Sequence, residues 1–454
     1  MTRSLPLNVL FFIVALCVFS SSALFPYFSM YSWHDHQRIA EVFILCVICI
    51  LYVSNCRSVS FPMSGVVFLF FLVGLFSSFC ADYLGWALKE WARFFGLFVV
   101  VVFVAKVESV FLLRQSVFFI LFLCGFFLSF QFINYYLMAF LTGIGNLSPY
   151  LLLYGFDNPR FLGQFQVVLL PMLSVFLLRA REGGGGGYFA IAGLLLVQWA
   201  MAWSMGGRGM FLGFSVALLS LFFIRKRFFN VILIQLFFAF FGYLLCLFLF
   251  KWIPFALDIK VVDISVFRDG LSGRELIWQE ALGMIFEYPV LGVGPMHYSA
   301  VWNNVAAHPH QLLLLVFSEW GGIAGVIFIY LVFSCFRRGV FFLRGDAATD
   351  LDAGVWLVLV SAFVLGQVDG VLVMPYGEVW LAIIAGVALG RWKNSSALHR
   401  GTLLFVPFAL LAFFVLSFVL FVEAPSYLEK EASFIKENAI GSPPRFWGQG
   451  WIPM

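Results

Sequence analysis

The sequence predicts an all-α protein: a polytopic membrane bundle of about 12–13 transmembrane helices, with one long external loop that contains an amphipathic helix. Three observations predict it. Of 454 residues, 63% are hydrophobic and only 11% are charged, with 60 phenylalanines, a balance far from that of soluble domains. The apolar residues come in runs of membrane-crossing length, punctuated by Gly, Pro and charge. Lysines and arginines gather in alternate connections, as short cytoplasmic loops do.

A crossing helix needs roughly 17 to 25 apolar residues. Candidate spans lie near residues 5–25, 39–55, 61–80, 92–105, 115–140, 161–178, 188–204, 209–224, 229–251, 311–336, 353–373, 378–390 and 402–422. The fourth and twelfth are short. The first follows Arg3 and reads as a spanning helix rather than a signal peptide, because no small-x-small cleavage site follows it. No internal repeat suggests a transporter of two related halves. With the amino terminus inside, Arg57, Lys106, Arg114, Arg179, Arg181 and the basic stretches 224–227, 336–344 and 391–400 all fall in the cytoplasm. The plan is then residues 1–251 with about nine helices, an external loop at 252–310 holding the chemical motifs, residues 311–422 with about four helices, and an external tail at 423–454.

Several function classes are disfavoured at once. The net charge of +4 is small and scattered, so there is no nucleic-acid face. Gly183 to Gly187 lack the Lys-Ser/Thr ending of a phosphate loop and read as a flexible connector. Cys46 and Cys49 fall inside an apolar span and read as packing residues. His34, Asp35 and His36 have metal-ligand types, but two histidines two residues apart in a short loop read as solvated, and no metal or cofactor is expected.

Basic residues kept outside, against the topological preference, need another reason to be there. Arg208 sits between Gly207 and Gly209 in a short external turn at the start of a helix, where its guanidinium adds to the helix's positive end and suits phosphate oxygens. Arg160, Gln164 and Gln166 open the sixth span and are placed to contact diphosphate or sugar. In the long loop, Ser272 is a plausible cap for an amphipathic helix over about residues 274–286, which puts Arg274 at its start; "YPVLGVGP" then ends it in a rigid turn. His308, Pro309 and His310 precede the tenth span, whose first residue is Gln311. His310, read as the residue opening that helix, feels the positive helix end, which holds its imidazole neutral and able to take a proton. Glu319, nine residues on, lies about 180° away and is expected to hold an arginine or a backbone group inside the bundle. Asp369 and Glu378, near outer helix ends, are candidates for orienting an arginine or an acceptor.

The order Gly-Arg-Gly at 207–209, "GRELIWQEAL", "YPVLGVGP" and "HPHQLLLLVFSEWGGIAG" resembles the shared core of the bacterial O-antigen ligase and polymerase superfamily, which includes pilin-type O-oligosaccharyltransferases. The likeness spans roughly residues 155–335 and is specific from Arg274 to Gly325; Gln311 stands where the family more often has asparagine. The resemblance implies en bloc transfer of a glycan from undecaprenyl diphosphate to a hydroxyl acceptor, with inversion, at the periplasmic face of the bacterial inner membrane. His310, Arg274 and Arg208 take the catalytic places, with His310 as base; Arg160, Gln164, His308 and Gln311 are candidate substrate contacts, and Glu319 an orienting one. Two arginines from separate external elements suit a diphosphate leaving group without a metal.

The implied partners are the lipid-linked donor, membrane lipids, and as acceptor either a pilin-like protein or lipid A-core. An external tail resembles the protein-glycosylating branch. The alternatives are an O-antigen polymerase joining lipid-linked repeat units and, from another class, a transporter or flippase, which would carry ionisable residues at mid-membrane in several helices.

Overall fold

The computed structural model describes residues 4–54, 64–182, 187–262, 273–392 and 402–453. Arg57, Gly183 to Gly186, Ser272 and most of the basic stretch 391–400 lie outside the described residues. The first half contains α1 (Ser4–Ser21), α2 (Trp33–Ser54), α3 (Ser64–Phe79), α4 (Leu84–Val107), α5 (Phe111–Leu141), α6 (Pro159–Glu182), α7 (Gly187–Met205), α8 (Arg208–Ile224) and α9 (Phe229–Leu247). After the single turn α10 (Ile253–Ala256) come α11 (Arg274–Glu287), α12 (Leu312–Glu319), α13 (Gly321–Arg344), α14 (Asp350–Leu365), α15 (Pro375–Arg391), α16 (Val406–Phe418) and α17 (Ala424–Asn438). The strands are a two-residue parallel pair, β1 (Asn146–Leu147) with β2 (Lys260–Val261), which ties the loop before α6 to the long connection.

Each expected apolar run coincides with a helix, and seven of the described helices are long and apolar enough to cross a membrane. The chain is an all-α, multi-pass membrane bundle. Its centre is built from α8 along α14, α4 along α15, α7 along α9, and α16 against α2 and α4. Many phenylalanines stay on the outside, among them Phe223 on α8, Phe237 and Phe240 on α9 and Phe333 on α13, as lipid contact allows, while others such as Phe95 and Phe165 fill the core.

Four runs differ from expectation. The short fourth and twelfth runs are parts of longer helices, because α4 carries Lys89, Glu90 and Arg93 within its first three turns and α15 carries Glu378 in its first, charges that hydropathy discounts. Those turns are buried and paired: Arg93 bridges Glu90 and Glu378, while Arg38 bridges Glu41 and Glu378. Ionisable residues are therefore not confined to the surface of one face. The tenth run is broken at Trp320 into α12 and α13, and the eleventh stops at Leu365, leaving 366–374 as a loop.

The tail is packed on the protein, a placement that the sequence did not announce. Instead of extending outward, it turns at Ala439 (φ +50°) and returns into the bundle, where Arg445, Trp447, Gln449 and Trp451 are buried. The stretch 34–36 is likewise buried rather than solvated. Asp35 Oδ1 accepts from Gly448 N at 2.5 Å, His34 Nε2 stands 3.3 Å from the Phe446 carbonyl, and His36 Nε2 accepts from Tyr27 N at 3.3 Å. Each side chain has its own partner, so the three do not converge as ligands.

Candidate functional site

Three helix starts, each with an arginine in its first turn, meet at one place. Arg160 on α6, Arg208 on α8 and Arg274 on α11 line one cleft of about 420 Å³, together with Tyr150, Asn158 and Asp369. The local sequence explains each start. Asn158 Oδ1 accepts from Arg160 N at 2.9 Å, ahead of which Pro159 presets the helical φ. Gly206 and Gly273 take φ of +67° and +78°, turning the chain sharply just before Arg208 and Arg274. In α11 this left-handed glycine occupies the cap position. Arg274 Nη2 donates to the Val368 carbonyl at 2.9 Å, fixing the guanidinium over the 366–374 loop.

Three guanidiniums and three positive helix ends around one cavity repel one another. Burial, opposed by Asp369 and reinforced by the charges of Arg160 and Arg208, holds the Arg274 pKa below its ordinary value. An anion with several oxygens relieves this repulsion, and planar guanidiniums grip such oxygens two at a time.

The histidine loop stands beside the cleft. His310 lines an adjoining narrow crevice, and Asp369 lines both. His310 Nδ1 is 3.3 Å from Asp369 Oδ1, within ion-pair range, although the two are not aligned as a hydrogen bond. The backbone is held tightly around it. Trp278 Nε1 on α11 donates to the Pro309 carbonyl at 3.0 Å, and His310 N donates to His308 Nδ1 at 3.2 Å. The two imidazoles are 4.0 Å apart with planes at 63°. Burial first, then the charges of His310, Arg445 and Arg160, push the His308 imidazole well below its usual pKa, so it stays neutral and keeps accepting that amide.

His310 does not open the helix as expected. It takes φ +50° two residues before α12, and Gln311 is the cap. The Gln311 side chain accepts from Leu314 N and donates to Gln367 at 3.0 Å, so both ends of its amide are engaged within the protein. Gln164 does not line the cleft: it is buried beside Gly377.

Glu319 holds both kinds of group expected of it. Its carboxylate accepts from Met296 N at 3.0 Å and Tyr298 N at 3.1 Å, and pairs with Arg445 Nη2 at 2.6 Å. Here the glycines of the two motifs find their reason. The turn 289–294 lies on the α12–α13 break, with Val293 N donating to the Ser318 carbonyl at 2.9 Å and Gly322 N to that of Pro289 at 2.9 Å. A Cβ on Gly292 would stand 2.6 Å from the Glu319 backbone, and one on Gly321 (φ +82°) would run into the Val290 carbonyl. Neither position admits a side chain.

Sequence reasoning missed the supports of the 366–374 loop. Leu312 N donates to the Gly366 carbonyl at 2.7 Å, Arg93 Nη2 to that of Leu372 at 3.2 Å, and Arg38 Nη2 to that of Val373. The loop carrying Asp369 is thus gripped by α2, α4, α11 and α12. The only available signal was that charged residues inside apolar helices demand partners.

No curated protein matches the chain in sequence. Residues 191–329, from α7 through the first part of α13, match the family model described as O-antigen ligase. That stretch brings Arg208, Arg274, His308, His310 and Glu319 into one match, so this part of the chain is similar to the O-antigen ligase family.

Proposed function

We propose that the protein moves a glycan en bloc from undecaprenyl diphosphate to a hydroxyl acceptor at the periplasmic face of the inner membrane. The observation that carries this reading is the meeting of Arg160, Arg208 and Arg274 in one cleft, with Asp369 joining it to His310. The arginines hold the diphosphate. As the bond from anomeric carbon to phosphate oxygen breaks, the growing charge on that oxygen is met by fixed guanidiniums and helix ends, without a metal. The acceptor oxygen attacks from the opposite side, inverting the carbon.

His310 supplies the base. With Nδ1 turned to Asp369, Nε2 is the nitrogen left to take the acceptor's proton, and the carboxylate steadies the imidazolium that results. The acceptor hydroxyl belongs to a pilin-like protein or to lipid A-core. The choice between them rests on the acceptor test. Proteoliposomes of the purified protein, given an undecaprenyl-diphosphate oligosaccharide and each acceptor with a chelator present, should release undecaprenyl diphosphate and label one acceptor. Oligosaccharide growing on the lipid carrier instead would identify a polymerase, and loss of transfer restored by one added metal would overturn the metal-free mechanism.

A further inference from the structure

The segment after α17 reaches the histidine loop by two routes. The first is ionic. Arg445, wholly buried, pairs with Glu319 at 2.6 Å and Glu90 at 3.1 Å, and the same Glu319 carboxylate accepts the amides of Met296 and Tyr298. That fixes the turn leading to Ser299. The second is direct. Ile452 N donates to the Ser299 carbonyl at 3.2 Å, and Trp302 Nε1 donates to the Ile452 carbonyl at 3.2 Å. Ser299 Oγ in turn donates to the Ala307 carbonyl at 2.9 Å, one residue before His308, and Phe434 and Trp451 pack on Ala307. A segment that merely filled space would be apolar; this one spends a guanidinium and backbone groups on the turn behind the histidines.

We propose that residues 440–453 form a clamp that positions the histidine loop, with Arg445 and Ser299 as positioning residues. The inference rests on His310 being the base. The clamp sets where His310 points and therefore acts on the transfer step. Grip on the diphosphate belongs to arginines placed by α6, α8 and α11.

The test uses the full-length protein in proteoliposomes, with transfer rate, its pH profile and affinity for undecaprenyl diphosphate measured separately. Ser299→Ala removes one hydroxyl and leaves the tail in place. It should lower kcat by about tenfold to a hundredfold, the cost of a misplaced reacting group, and shift the pH profile, with affinity for undecaprenyl diphosphate unchanged. Arg445→Lys should restore part of the rate that Arg445→Ala loses. In protein lacking residues 440–454, Ser299→Ala should add no further loss, because both changes break one linkage. Wild-type rates and pH profiles in Ser299→Ala and Arg445→Lys would overturn the clamp, as would a fall in rate matched by an equal fall in affinity. If deletion prevents insertion, Ser299→Ala decides alone. An inactive His310→Ala beside normal clamp variants removes the clamp only; an active His310→Ala removes the base assignment and the clamp with it.

Discussion

Asp369 Oδ1 stands 3.3 Å from His310 Nδ1 and at the same time lines the cleft of the three arginines, so one carboxylate connects the proposed base to the proposed leaving-group site. Burial alone would raise its pKa, but the contact with His310 and the charges of His310 and Arg160 outweigh that and hold the carboxyl below the usual range. It is ionised wherever His310 is needed as a base. Its backbone fits the role too, since Gly370 N donates to Asp369 Oδ1 at 2.8 Å and steadies the side chain.

Asp369→Asn keeps the shape and removes the charge. The imidazole loses its counter-charge, so turnover should fall by about 10²-fold or more while undecaprenyl diphosphate still binds. Separate measurement of kcat and donor affinity checks this. Near-normal turnover would leave the carboxylate without a part in catalysis.

Arg274→Lys keeps charge but loses the planar fork, including the 2.9 Å bond to the Val368 carbonyl. Transfer should drop by at least about tenfold, with weaker binding of undecaprenyl diphosphate as the main cause. Titration of the variant with undecaprenyl diphosphate alone would show it. Unchanged affinity would make Arg274 a support for the 366–374 loop and no more.

The helices were legible because each apolar run announces itself locally. Arg208, Arg274 and the paired histidines were legible because they break that pattern beside glycines and prolines. What was hidden depends on distance along the chain. Nothing near Arg445 says that its partners are Glu90 and Glu319, more than a hundred residues away, and nothing near Leu372 says that Arg93 holds it. Hydropathy moreover scores a charged turn as an end of a span, although mutual pairing lets Glu90 and Arg93 enter the bundle, which is why α4 was foreseen too short. His310 was misplaced by two residues of helix because Gln311 rather than a Ser, Thr or Asp provides the cap.

Two buried histidines, His308 at the site and His297 in the turn after 289–294, accept backbone amides while neutral: His308 Nδ1 from His310 N, and His297 Nε2 from Tyr83 N at 2.9 Å. Burial is the largest cause lowering both pKa values. An unfolded histidine titrates near about 6.5, so below that pH the unfolded chain binds protons that the folded one refuses. Stability is therefore full above about pH 6.5 and falls as pH drops from there toward the folded values. His308→Asn retains an acceptor that cannot titrate, and its thermal midpoint in detergent should fall less between neutral and acidic pH than that of the parent. An identical fall would exclude His308 as a source of the acid sensitivity.

The most direct measurement is transfer and donor binding in His310→Ala, made on the same preparation. As the proposed base, His310 should contribute about 10²–10⁴-fold, so the variant should bind undecaprenyl diphosphate with parental affinity while acceptor glycosylation all but disappears. Glycosylation at the parental rate would contradict the account, and loss of undecaprenyl diphosphate binding in that variant would move His310 from proton transfer to phosphate recognition.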